Sequence, residues 1–248
     1  MVKGDIMGSL SIKNERFSKY LSYKLNKDKM EVDDLYNIKV MTLNKNDFKN
    51  EVTDFKIDGV KYFKNLEQLY IKNFNITTKN IREICSLKKL EKLVFFNCEF
   101  EKNSKISKKL IDLEFLNCTN INNIKYVNTQ SIKVSNTDID FKLFKIINNV
   151  KNIEIFKCFL GFNIGKNNDK KVVINFKKSK TIKILNSNID TNILFKFKDL
   201  QNLTFSNTQL KEYLKEYILK HDKKQNITLI NDDNYFEFTK EEKGDVNV

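Results

Sequence analysis

The chain has 248 residues, enough for one large domain or two small ones with a core that needs no disulfide staples. It holds no Ala, Pro or Trp, and only two arginines, Arg16 and Arg82, among 45 basic residues. That is the signature of A- and T-rich coding, and it makes the formal charge of +13 a weaker guide to partners than its size implies. Six glycines and 40% hydrophobic residues argue against collagen, coiled coil and disorder. No run of 18 apolar residues, no signal-peptide core in the first residues and four cysteines without a CxxC pair lead to an expectation of a cytoplasmic chain with reduced thiols.

In chain order, Phe17, Tyr20, Leu21 and Leu25 fall at helical spacing and predict an N-terminal cap helix over Ser11 to Lys27, with Tyr23 off the stripe. Alternation around Asp58-Gly59 predicts a hairpin over Phe55 to Tyr62. Thr77 or Thr78 caps a helix through Ile81, Ile84, Cys85 and Leu87, while Phe141 to Asn148 and Thr191 to Phe197 read as shorter turns. Gly165 to Lys171 reads as a loop followed by an extra strand, Val172 to Phe176. A helix is predicted over Leu210 to His221, and Tyr235 to Phe238 closes the structure before a charged tail, Thr239 to Val248, expected to be disordered.

Between these elements one pattern recurs. LEKLVFFNCEF from Leu90, LIDLEFLNCTNI from Leu110, VKNIEIFKCFL from Val150 and LQNLTFSNTQL from Leu200 share the spacing apolar, two residues, apolar, one residue, apolar, two residues, then a Cys or small polar position. Weaker copies begin at Ile38, Leu66, Ile132, Ile182 and Ile227, making nine rungs whose last apolar strand positions lie 19 to 29 residues apart. The spacing LxxLxLxxN/CxL resembles the leucine-rich repeat family in its irregular, cysteine-containing form. What the resemblance implies is an α/β fold: a curved solenoid with a parallel β-sheet on the concave face and loops, short helices and extra strands on the convex face. The domain expectation is a helical cap over residues 1–33, a solenoid of about nine rungs over 34–236 and a charged tail over 237–248.

The position after each strand (Asn46, Phe74, Cys98, Cys118, Thr137, Cys158, Ser187, Thr208, Asp232) is expected to be a buried ladder that hydrogen-bonds the turning backbone, Phe74 excepted. This makes the three cysteines structural rather than metal ligands, since the single His221 offers no zinc shell. The free strand face is legible from register alone. Thr42, Tyr70, Val94, Glu114, Lys133, Glu154, Lys183, Thr204 and Thr228 form one column, in which Glu114, Lys133, Glu154 and Lys183 alternate in sign and are expected to pair across strands. Asn44, Lys72, Phe96, Leu116, Ser135, Phe156, Leu185, Ser206 and Ile230 form the next; Val94, Phe96 and Leu116 cluster on neighbouring rungs, as do Phe156 and Leu185, where a solvated strand should be polar. A third column is Asn at seven of nine positions and is expected to serve the turn leaving each strand.

No Gly-rich phosphate loop, HExxH, GxSxG or acidic metal motif appears, so no enzyme, cofactor or metal site is expected. The expectation is a monomeric interaction module that binds a protein partner through Tyr70, Val94, Phe96, Leu116, Phe156 and Leu185, with Glu114, Lys133, Glu154 and Lys183 beside them. Two alternatives are a basic surface for nucleic acid or anionic membrane, and an exported effector acting on host proteins if a leader has been removed; the four N-x-T sequons are what chance yields in so Asn-rich a chain.

Overall fold

The computed structural model describes residues 15–28, 30–47, 57, 59–147, 149–160, 172–189, 193–206, 226–231 and 234–238. Ten strands form the main sheet, numbered here in chain order: β1 (Val40–Asn44), β2 (Gln68–Lys72), β3 (Lys92–Phe96), β4 (Ser104–Leu116), β5 (Ile124–Ser135), β6 (Asn152–Phe156), β7 (Thr181–Leu185), β8 (Asn202–Ser206), β9 (Asn226–Asn231) and β10 (Asn234–Phe238). Their order in space is their order in sequence. β1 to β9 are parallel throughout, and β10 turns back antiparallel to β9. The fold is α/β, built on a large open parallel sheet.

The register explains why the pattern in sequence recurs in phase. Leu43, Ile71, Phe95, Phe115, Val134, Ile155, Ile184 and Phe205 are consecutive partners across β1 to β8, and all are buried. Two residues earlier in each strand, Met41, Leu69, Leu93, Leu113, Ile132, Ile153, Ile182 and Leu203 make a second buried column. Because side chains alternate between faces, each strand gives both residues to one side. Burying each such side chain contributes roughly 1.5–3 kcal/mol, gained only when the next strand is in place. Phe95 and Phe115 stack 5.7 Å apart, and Phe100 meets both edge-on at 4.9 and 5.4 Å.

The segments between strands cover that buried side. Helix α2 (Thr78–Cys85) starts at Thr77, whose hydroxyl accepts from the Asn80 amide while the Asn80 side chain accepts from the Thr77 amide, and it packs on β4. Helix α3 (Phe141–Ile147) packs on β5. Two-residue strands at Asn75–Ile76 and Glu99–Phe100 pair with each other, as do those at Phe159–Leu160 and Asn188–Ile189. The predicted extra strand Val172–Phe176 is present, and its partner is Ile193–Phe197. That segment was expected to be a turn; its apolar run instead finds a free parallel edge, and Phe195 packs 5.8 Å from Phe176 and 6.2 Å from Phe144.

At the start, α1 (Glu15–Leu25) buries Phe17, Tyr20 and Leu21 and leaves Tyr23 exposed, as its stripe predicts. Its Tyr20 hydroxyl reaches the open edge of β1, donating to the Thr42 carbonyl and accepting from the Asn44 amide, each at 3.3 Å. The hairpin expected around Asp58-Gly59 is corrected in its second half: Val60–Tyr62 is a single 3-10 turn. Gly59 enters it at φ +123°, and a Cβ there would stand 2.7 Å from the Phe17 ring, so the helix packs on bare backbone. Asn46 lies exposed in a 3-10 turn, Lys45–Asp47, rather than in the buried ladder, because the chain leaves β1 without the usual inward turn. β10 carries the end strand through Phe238, past the boundary expected at 236. The helix predicted at Leu210 to His221, the loop at Gly165 to Lys171, the ladder positions Thr208 and Asp232 and the tail from Thr239 lie outside the described residues. No helix among the described residues is long and apolar enough to cross a membrane.

Candidate binding face

The side of the main sheet opposite the buried columns carries the side chains singled out from sequence. Each predicted column is one register row. Tyr70, Val94, Glu114, Lys133, Glu154 and Lys183 are consecutive partners from β2 to β7, and Lys72, Phe96, Leu116, Ser135, Phe156 and Leu185 form the row beside them.

In the first row the charges pair, though not as register alone dictates. Lys133 reaches Glu154 directly across at 2.7 Å. Glu114 takes Lys92 of β3 at 2.6 Å, a diagonal partner two residues before Val94, instead of the facing Lys133. Register alone does not pair Lys92 with Glu114, because it matches only residues straight across each rung, while a lysine side chain spans the diagonal distance. Hydrogen bonding to Glu114 holds the Lys92 ammonium above the usual lysine range. Lys183 is exposed, and no carboxylate lies within 4.0 Å of it among the described residues. These residues, with Asp112, Ser131, Asn152 and Thr181, line a groove of about 380 Å³.

The second row is aromatic, aliphatic and cationic together. Phe96 is 38% exposed, with the Lys72 ammonium 5.9 Å from its ring centre, and Phe156 is half-buried with the Lys157 ammonium at 5.1 Å. Leu116 and Leu185 are half-buried. Val94, expected among the exposed apolar residues, is 5% exposed: its short side chain lies between the longer Tyr70 and Glu114 of the neighbouring strands. Tyr70 is half-buried, its hydroxyl donating to Gln68 Oε1 at 3.0 Å. Ser135, between Leu116 and Phe156, is buried, and its hydroxyl is the one buried side-chain polar atom without a hydrogen-bond partner among the described residues.

The rim of this face is set by the asparagine column. Asn73, Asn97, Asn117, Asn136, Lys157 and Asn186 all have φ between 50° and 63°, the left-handed conformation that asparagine tolerates best among residues with a side chain. Each donates its amide to a carbonyl of the next strand, as Asn117 does to Ser135 at 3.0 Å. The side chains of Asn73, Asn97 and Asn136 donate in turn to Asn44, Asn73 and Asn117 at 2.6–2.9 Å.

Behind that turn the ladder behaves as expected from sequence. The Cys98, Cys118 and Cys158 thiols donate to the carbonyls of Ile71, Phe95 and Val134 on the preceding strand at 3.4–3.5 Å. The Thr137 and Ser187 hydroxyls accept the amides of Cys118 and Cys158 at 3.2 and 3.1 Å. All five are buried, as is Phe74, which fills the same column with a ring. Hydrogen bonding to Cys118 and burial push the Cys98 thiol well above its ordinary value, and burial pushes Cys158 up to about 11. Such thiols are packing groups at neutral pH. Among the described residues no three His, Cys, Asp or Glu side chains gather as a metal-ligand set.

Comparison of the chain with protein-family models, with curated proteins and with solved structures returns no match.

Proposed function

We propose that the chain is a leucine-rich-repeat solenoid that acts as a non-catalytic interaction module, binding a protein partner on the outer row of its main sheet through Phe96, Leu116, Phe156 and Leu185. The observation that carries this reading is the 38% exposure of Phe96 in a row where Leu116, Phe156 and Leu185 are apolar and half-buried, on strands where a purely solvated face would be polar. The repeat spacing and the in-phase parallel register support the solenoid part. Val94 contributes shape beneath the row rather than contact area. Glu114 and Glu154, each held by a lysine, set which partner charges are tolerated.

Affinity capture followed by mass spectrometry tests it, with the intact chain compared with the double variant Phe96→Glu, Phe156→Glu. The expected result is loss of the captured protein with a nearly unchanged thermal transition. Recovery of the same protein by a folded double variant overturns the reading.

A further inference from the structure

The charges of this face do not balance where the apolar row runs. Glu114 and Glu154 are committed to Lys92 and Lys133, whereas Lys72, Lys157 and Lys183 have no carboxylate within 4.0 Å among the described residues. Two of those three ammonium groups stand over the phenyl rings of the row. In the middle of the same row, the buried Ser135 hydroxyl has no acceptor. A buried donor left unmade is a standing cost that an incoming acceptor relieves.

We infer that the row binds an acidic segment of a partner protein, one carrying apolar side chains between its carboxylates. This rests on reading the face as a docking surface. The carboxylates meet the Lys72 and Lys157 ammonium groups, the apolar side chains lie along Phe96, Leu116 and Leu185, and an oxygen of the segment accepts from Ser135 as Leu116 and Phe156 part around it. Phe96 and Phe156 are three strand spacings apart, about 14 Å, which about four residues of extended chain cover. A nucleic acid fits the same face less well, because the ring surfaces on which bases would stack already carry cations.

The test is fluorescence anisotropy of the full chain with three labelled probes: a peptide of alternating Glu and Leu, its Gln and Leu counterpart, and an oligothymidylate of equal length. The acidic peptide is expected to bind best, and Lys72→Gln with Lys157→Gln to weaken it about tenfold. Lys88→Gln with Lys142→Gln, two exposed lysines off the sheet, is expected to leave it unchanged. Ser135→Ala supplies the sharper readout, because it removes an orphan hydroxyl: the thermal midpoint stays level or rises while the acidic peptide binds more weakly. Equal losses for the two lysine pairs, unchanged peptide affinity in Ser135→Ala, or tighter binding of the oligothymidylate overturns the inference. If partner capture is lost with Phe96→Glu, Phe156→Glu but is indifferent to Lys72→Gln and Lys157→Gln, the acidic class falls and the docking face stands. If capture survives both pairs, both fall.

Discussion

At every exit from the central strands one residue must take φ near 50–60° so that the chain can turn inward, and that demand selects the asparagines. For a residue with a Cβ the conformation costs roughly 1–2 kcal/mol, which asparagine offsets through its short polar side chain and glycine avoids. Asn117→Ala is therefore expected to lose about 1–2 kcal/mol in urea unfolding, and Asn117→Gly clearly less. The loss of the bond that Asn117 Oδ1 accepts from Asn136 is common to both. On the ladder, the Cys158 thiol answers to pH instead. Burial raises the folded-state value of Cys158 to about 11, above that of an unfolded thiol, so unfolding releases the proton more readily as pH rises. Its contribution is complete below roughly pH 8.5, declines toward pH 11 and is worth on the order of 3 kcal/mol in all. Cys158→Ser is expected to flatten that part of the alkaline decline, read as the difference in denaturation midpoint between variant and parent across the range.

At the scale of elements, helices form where a cap and an apolar stripe coincide. Thr77 and Asn80 exchange hydrogen bonds at the start of α2, whose Ile81 and Ile84 are buried. Thr77→Ala is expected to cost about 1 kcal/mol, measured by chemical denaturation, with the main-sheet strands unchanged by circular dichroism. Strand register within the repeat motif is legible in the sequence, because parallel neighbours in phase turn a position in one repeat into a contact in the next. What that rule does not contain was missed. The Lys92 to Glu114 pair runs diagonally, and Val94 disappears between longer neighbours, both consequences of side-chain length. Ile193–Phe197 was read as a turn since its pairing partner, Val172–Phe176, lies outside the repeat spacing. The long β4 and β5 carry extended structure beyond the repeat motif, with register shifts before Leu110 that no alternation announces. Ser135 reads in sequence as an ordinary surface serine; only its larger row neighbours make it a buried orphan.

On the scale of the whole molecule, a sheet that adds one parallel strand after another has no intrinsic reason to stop, and each end would present a row of unpaired backbone groups to another chain. The two ends solve this differently. β10 reverses direction, so its outer edge no longer offers the parallel pattern that β1 would match. At β1, among the described residues, the Tyr20 phenol occupies one donor and one acceptor of the outer edge. Tyr20→Phe keeps the packing of the ring but frees that edge, and light scattering is expected to show self-association rising with concentration while circular dichroism shows the fold unchanged. The finite length of the array is thus a property of its two terminations, a reversed strand at one end and a phenol hydroxyl at the other, and with the hydroxyl gone the pairing left open is β1 against the β1 of a second copy, which closes a pair instead of extending a row.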